Sequence, residues 1–308
     1  MLRAFFVHLS ENASLRRFAE QSSLGRRVSN RFVAGTEIAD AVRATQVVNR
    51  AGMSVSIDNL GENVTNPDEA RHSAQLYHQI LDAIAANHLN ANISLKLTHM
   101  GLDVDETLAR DLVGGLVAKA ASLNPPGFVR VDMEGSPYTQ RTLDFVHELH
   151  RTPGYADSVG TVIQAYLKRS ESDIEKLLSE RIRIRLCKGA YKEPASIAFE
   201  KKEEVDANYI KLMKILMKSG IYHGMATHDE NVIREAQAFA TRENVSRDAF
   251  EFQMLYGIRR DLQQSLVREG WRTRVYIPFG TEWYPYFMRR LGERPANVLF
   301  IARHMLRA

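Results

Sequence analysis

The chain has 308 residues, 44% of them hydrophobic, and a formal charge of +4. That is enough apolar material for one or two cores, and too mild a basic balance to select nucleic acid, an anionic cofactor or a membrane surface by itself. Its single cysteine, Cys187, excludes an internal disulfide and any zinc site built on several thiolates, and fits a reducing, cytoplasmic setting.

The apolar stretch Ala4 to Leu9 is too short for a secretory signal, and no run approaches the roughly 20 apolar residues that span a bilayer. A soluble chain, at most peripheral to a membrane, is expected. From Leu2 to Arg50 apolar residues recur at helical spacing, interrupted by Arg16-Arg17 and Arg26-Arg27. Residues 1–50 therefore read as a helical arm, with 51–308 as the main domain.

Short β-rich runs then alternate with amphipathic helical stretches, the pattern of βα units and a parallel sheet. The expected strands are Val55–Leu60, Ile93–Leu97, Phe128–Met133, Thr161–Tyr166, Ile182–Cys187, Gly224–Thr227, Phe250–Leu255 and Arg274–Ile277. The expected helices are Pro67–Asn87, Val104–Ser122, Gln140–Arg151, Ser172–Leu178, Glu203–Lys218, Asn231–Thr241 and Arg259–Glu269. Eight strands, each followed by a helix, suit a closed (β/α)8 TIM barrel; an open doubly wound sheet is the competing architecture. The sixth strand is the weakest, because Gly224-Met225-Ala226-Thr227 has little β propensity.

In a barrel of this kind the chemistry lies at the C-terminal ends of the strands. Those ends carry Asp58 and Glu62, Lys96 and His99, Asp132 and Glu134, Gln164 with Lys168-Arg169, Arg185 with Lys188, Thr227-His228-Asp229, Gln253 with Tyr256, and Tyr276. Charges in a barrel mouth cost free energy unless paired or used on a ligand, so ion-pair networks account for some of them and a ligand for others.

Two features suit an anionic ligand. Arg185-Leu-Cys-Lys-Gly-Ala-Tyr191 ends a strand with two cations and a glycine, which lets backbone N–H groups approach a phosphate; a plain strand-to-helix turn reads equally well. Further on, Tyr286, Arg289, Arg290 and Glu293 share one broad face of a helix at 286–293, and two guanidinium forks side by side suit a small carboxylate. A solvated basic face is the plainer alternative, but the flanking Trp283, Tyr284 and Phe287 imply burial. His99, His223 and His228 lack the spacing of a metal set, and no Gly-x-Ser-x-Gly elbow is present. No metal is expected.

At these strand ends the sequence resembles the proline dehydrogenase family, in particular its short monofunctional bacterial members. The segments that carry the likeness are Ser94–Thr98, Val131–Gly135, Val162–Tyr166, Arg185–Tyr191, Ala226–Asp229, Phe252–Gly257, Tyr276–Gly280 and Arg289–Glu293, in order from about residue 30 onward. The resemblance implies a distorted barrel with FAD across its mouth and a last helix over the barrel. It implies that Lys96, Arg289 and Arg290 hold the carboxylate of L-proline, that Tyr276 and Tyr286 pack its ring, and that Glu293 orients the arginines. Asp132 would hydrogen-bond Tyr276, and Met133, Gln164 and Arg185 would contact the isoalloxazine, with Arg185 near N5. Lys188, Gly189, Ala190, Thr227 and His228 would cradle the ribityl and pyrophosphate portion, with Lys201 or Lys202 toward the adenylate. Cys187, where the family commonly has an aliphatic residue, falls among the cofactor-binding positions.

By the same resemblance the product is 1-pyrroline-5-carboxylate, passed to a separate pyrroline-5-carboxylate dehydrogenase, since the chain is too short for the aldehyde dehydrogenase half of the bifunctional proteins. Electrons would pass to a membrane quinone, giving the basic arm a use as a peripheral membrane contact. Proline and hydroxyproline are both admitted, because small changes around Tyr276 and Tyr286 accommodate one hydroxyl. Two other readings remain: a flavin-free lyase or aldolase using Lys96 or Lys188 as a Schiff base, and a nucleic-acid-binding protein, disfavoured by the lack of any reader motif.

Overall fold

A computed structural model describes residues 31–293, the side chains of 289–293 excepted. Its strands are β1 Ser54–Asn59, β2 Ala91–Leu95, β3 Val129–Val131, β4 Val159–Gln164, β5 Arg183–Cys187, β6 His223–Ala226, β7 Phe250–Leu255 and β8 Thr273–Phe279. They join in sequence order into a closed parallel barrel, with β8 pairing β1 from Ser54↔Arg274 to Asn59↔Phe279. That closure decides for the (β/α)8 barrel against the open sheet.

The described helices are α1 Ile38–Arg50, α2 Pro67–Ala86, α3 Glu106–Ser122, α4 Ser136–Arg151, α5 Ser170–Ser179, α6 Lys202–Lys218, α7 Glu230–Arg242, α8 Arg260–Arg268 and α9 Trp283–Glu293. Local chemistry sets several starts. Asn66 caps α2 by accepting from the N–H groups of Asp68 (3.1 Å) and Glu69 (3.0 Å), with Pro67 in the first turn. Asp105 caps α3 in the same way, after a short 3-10 turn at Thr98–Met100. Helix α4 begins a turn earlier than its periodicity suggests. Its first turn holds Pro137, and the Glu193 carboxylate, from the loop after β5, accepts from Ser136 N at 2.7 Å. That long-range partner has no local sequence signal.

Alternation along each strand sends one set of side chains toward the helices and the other into the barrel. The outward set is apolar: Val55, Ile57, Ile93, Leu95, Val129, Val131, Ile184, Leu186, Phe250, Phe252, Met254, Val275 and Ile277 are each at most 1% exposed. The inward set is largely polar. Arg185 on β5 bonds side chains from β1, β2 and β7 and that of Asp132 just past β3, which it can reach only through the barrel interior. The apolar core is therefore a shell between strands and helices, while the barrel lumen holds charges that must be paired.

Two helices depart from a simple ring. Helix α1, read from sequence as part of the arm, buries Ala41, Ala44 and Val48 and packs on β8 and β1. The remainder of the arm, before residue 31, lies outside the described residues. Helix α9 follows β8, but Trp283, Tyr284, Tyr286, Phe287 and Met288 pack with Phe32, Val33, Leu60 and Ile258. Leu60 and Ile258 lie just past the C-terminal ends of β1 and β7, so α9 sits on the mouth of the barrel.

Candidate active site

The mouth gathers a buried polar layer. Asp132, just past β3, accepts from Arg185 Nη1 at 2.8 Å and from Ser94 Oγ at 2.7 Å on one oxygen, and from the Tyr276 hydroxyl at 3.2 Å on the other. The Arg185 guanidinium lies 5.3 Å from the centre of the Tyr276 ring. Burial, with Asp132 and Asp58 nearby, holds the Tyr276 phenol well above its ordinary value, so it stays a donor. Lys96, past β2, stands 3.9 Å from Asp58 Oδ2, an ion pair longer than a hydrogen bond. Burial pushes the Asp58 carboxyl above its usual range; Lys96 opposes this and Asp132 adds to it. Tyr77 on α2 donates to Asp58 Oδ1 at 3.1 Å.

Lys96, Asp132, Arg185 and Tyr276 are thus brought together. Met133 and Gln164 are buried beside them at the ends of β3 and β4, and Gln164 Nε2 donates to the Glu134 carbonyl at 2.9 Å. Cys187 ends β5, with burial pushing its thiol up to about 12, so it behaves as a small apolar group and not as a nucleophile.

A second cluster lies past β5 and β6. Lys188 donates to Asp206 at 2.5 Å and to Asp229 at 2.9 Å, and Lys202 also pairs Asp206. Lys201 immediately precedes α6. Gly189 has φ +110°, and a Cβ there would lie 2.2 Å from the Tyr166 ring, so glycine is needed for the loop, which continues into Ala190, to cross that ring. Thr227 Oγ1 accepts from Asp229 N at 3.0 Å, and His228 Nε2 accepts from Leu255 N at 2.9 Å, which puts the imidazole proton on Nδ1. Tyr286 is buried on α9. Arg289, Arg290 and Glu293 continue that helix, and their side chains lie outside the described structure.

A family model described as "Proline dehydrogenase" matches residues 41–303. The chain belongs to the proline dehydrogenase family. Membership makes it an oxidoreductase acting on proline. It is 40% identical over 308 residues to proline dehydrogenase 1 of Bacillus subtilis, covering 100% of both chains. It is 38% identical to the proline dehydrogenase of Deinococcus radiodurans over 310 residues, covering 100% of this chain and 98% of the relative. Against the bifunctional protein PutA of Escherichia coli it is 27% identical, over 90% of this chain and 24% of that one. Among solved structures, proline utilization A of Bdellovibrio bacteriovorus inactivated by N-propargylglycine shares the fold. Its TM-score is 0.80 at 24% identity, covering 87% of this chain and 32% of that one.

Sequence reasoning passed over several members of the layer. Asp58 and Gln253 were visible as polar strand ends but had no assigned part. Ser56, Ser94, Glu251 and Tyr77 gave little warning: the first three occupy inward positions in apolar-looking strands, and Tyr77 reads as a core residue of α2. Strict strand alternation applied to the polar residues would have found all but Tyr77.

Proposed function

We propose that the chain oxidises L-proline to 1-pyrroline-5-carboxylate with FAD across the barrel mouth, as the first step of proline catabolism to glutamate. The observation that supports this most is the Arg185–Asp132–Tyr276 unit with Lys96 beside it, buried at the strand ends where this architecture carries its chemistry. It offers cations for a carboxylate, an aromatic face for a small ring, and a fixed guanidinium for an electron-rich cofactor.

The residues past β5 and β6 suit a flavin dinucleotide by donor type and by the glycine crossing at 189. Lys188 is shared by two carboxylates. Recognition of a pyrophosphate therefore leans on donors such as the Thr227 hydroxyl and His228 more than on surplus charge. Met133, Gln164, Arg185 and Cys187 flank the isoalloxazine in this reading, while Lys188, Gly189, Ala190, Thr227 and His228 hold the ribityl and phosphate portion. When bound, FAD supplies the hydride acceptor.

The chain's own work is binding and placement. Lys96, Arg289 and Arg290 bind the substrate carboxylate, and Glu293 orients the arginines. Tyr276 and Tyr286 enclose the ring. Asp132 fixes both the Tyr276 hydroxyl and the Arg185 guanidinium, so one carboxylate aligns the substrate side and the cofactor side. Helix α9 covers the mouth and excludes water. Electrons leave to a quinone, and the product passes to a separate pyrroline-5-carboxylate dehydrogenase.

The visible spectrum of the purified protein tests the reading. Flavin bands are expected, and anaerobic proline bleaches them. A colourless protein that gains no bands on incubation with FAD would refute it.

A further inference from the structure

Below the mouth, one side chain links the reactive layer to the floor of the barrel. Gln253, on β7 and 5% exposed, accepts from Arg185 Nε at 2.5 Å through its carbonyl oxygen and donates from Nε2 to Glu251 Oε1 at 2.7 Å. Glu251 in turn accepts from Arg274 Nε at 2.6 Å and from the Tyr222 hydroxyl at 2.8 Å. An arginine has no acceptor and an ionised carboxylate has no donor, so the Gln253 amide has only one allowed orientation. Its dipole is aligned by Glu251 below and presents oxygen to Arg185 above. In so dry a setting each such bond counts for more than it does in water.

The sequence reserves space for this amide. Gly224, on the adjacent strand β6 and in register with Glu251, would with a Cβ place that atom 2.2 Å from Gln253 Nε2 and 2.6 Å from its Cδ. The other Arg185 contacts are to Asp132 at 2.8 Å, Ser94 at 3.1 Å and Ser56 at 3.3 Å, all through the terminal nitrogens. Only Gln253 holds the Nε edge among the bonds described, and without it the guanidinium is held by its terminal nitrogens alone.

We infer that Gln253, backed by Glu251 and Arg274, is a positioning residue that sets the angle of the Arg185 guanidinium and so tunes the reduction potential of the bound flavin. The inference rests on the proposed function, in which Arg185 lies near flavin N5. A cation held there stabilises the negative charge gained on reduction, so loosening it makes reduction harder. Gln253→Leu removes both of the amide's bonds at similar volume. Gly224→Ala displaces the amide without deleting it, and serves if the first variant does not fold.

The experiment is a potentiometric titration of the flavin in purified holoenzyme. Each variant is expected to lower the midpoint potential by about tenfold in the oxidised-to-reduced equilibrium, about 30 mV for a two-electron couple. In an Arg185→Lys background, Gln253→Leu is expected to add no further shift. A yellow protein whose potential is unmoved in the folded variants, or a shift that persists in the Arg185→Lys background, would overturn the inference and leave the proposed function standing. A chain that binds no flavin fails the proposed function first.

Discussion

Arg185 and Asp132 form an ion pair with side-chain exposures of only 8% and 14%, a placement that usually costs stability unless every donor and acceptor is used. Here the pair is woven into bonds from Ser94, Tyr276 and Gln253, which is how the fold tolerates it. In the proposed function the arginines on α9 hold the substrate carboxylate, which is bound best by a planar fork giving two parallel N–H bonds. Replacing Arg290 with lysine keeps the charge and loses the fork. The expected outcome is a proline KM raised at least about tenfold, the cost of one good charged hydrogen bond, with the flavin absorbance of the purified variant unchanged. An unaltered KM would remove Arg290 from the carboxylate site. The buried histidines carry a pH signature instead. Burial, aided by Lys96, lowers His99 to about 4, and burial, aided by Arg130, lowers His223 to about 3. His223 Nδ1 also accepts from Ile184 N at 3.0 Å, a bond lost on protonation. The unfolded chain takes up these protons near pH 6.5 and the native state does not. Stability is therefore fully present above about 6.5 and falls as the pH drops toward the folded values. Urea midpoints should decline across that window, while the imidazole NMR signals of both residues stay flat down to about pH 5.

Strand β6 shows why some elements were easy to read and others were not. The long amphipathic helices and the β-branched strands announced themselves, because their outward faces are uniformly apolar. Residues 223–226 were weak because Gly224 is there for the sake of Gln253, a neighbour in space and not in sequence. The same reason hid the start of α4, which depends on Glu193, and the wall position of α1, which depends on β8 being next to β1. Of the candidate site, the charged residues at strand ends were legible from the alternation of runs. Of their partners, Ser56, Ser94 and Glu251 are legible only as inward polar positions, and Tyr77 not at all, since which of them meet is set by closure of the barrel. Gly224→Ala probes the point thermodynamically. Gln253 is held from above and below, so the added methyl has no flexible neighbour to displace, and overpacking of about 1–3 kcal/mol is expected. A lower urea midpoint with an unchanged slope would show it; an unchanged midpoint would mean that the amide yields freely.

Taken whole, the molecule reverses the usual division of a (β/α)8 barrel, in which aliphatic layers fill the lumen. Its apolar stabilisation lies in the shell, and its lumen holds a ladder in which the neutral Gln253 amide joins the Arg274–Glu251 pair to the Arg185–Asp132 pair. In the proposed function, electrons pass from the cofactor at the mouth to a quinone. Among the described residues no helix is long and apolar enough to cross a membrane. On that reading, a lipid-soluble quinone would be met at a bilayer surface. The sequence offers a means: Arg16-Arg17 and Arg26-Arg27 are basic pairs in the helically patterned arm of a chain whose net charge is +4. Basic residues near an anionic leaflet contribute about 1 kcal/mol each and are screened within a Debye length. Co-sedimentation with vesicles containing anionic lipid should be measurable at low salt and lost at high salt. Replacing the four arginines with glutamine should weaken it about tenfold or more, since two or more such contacts exceed 1.4 kcal/mol. Absence of binding at low salt, or binding indifferent to the four replacements, would retire the arm as the membrane contact and direct attention to the face around α9.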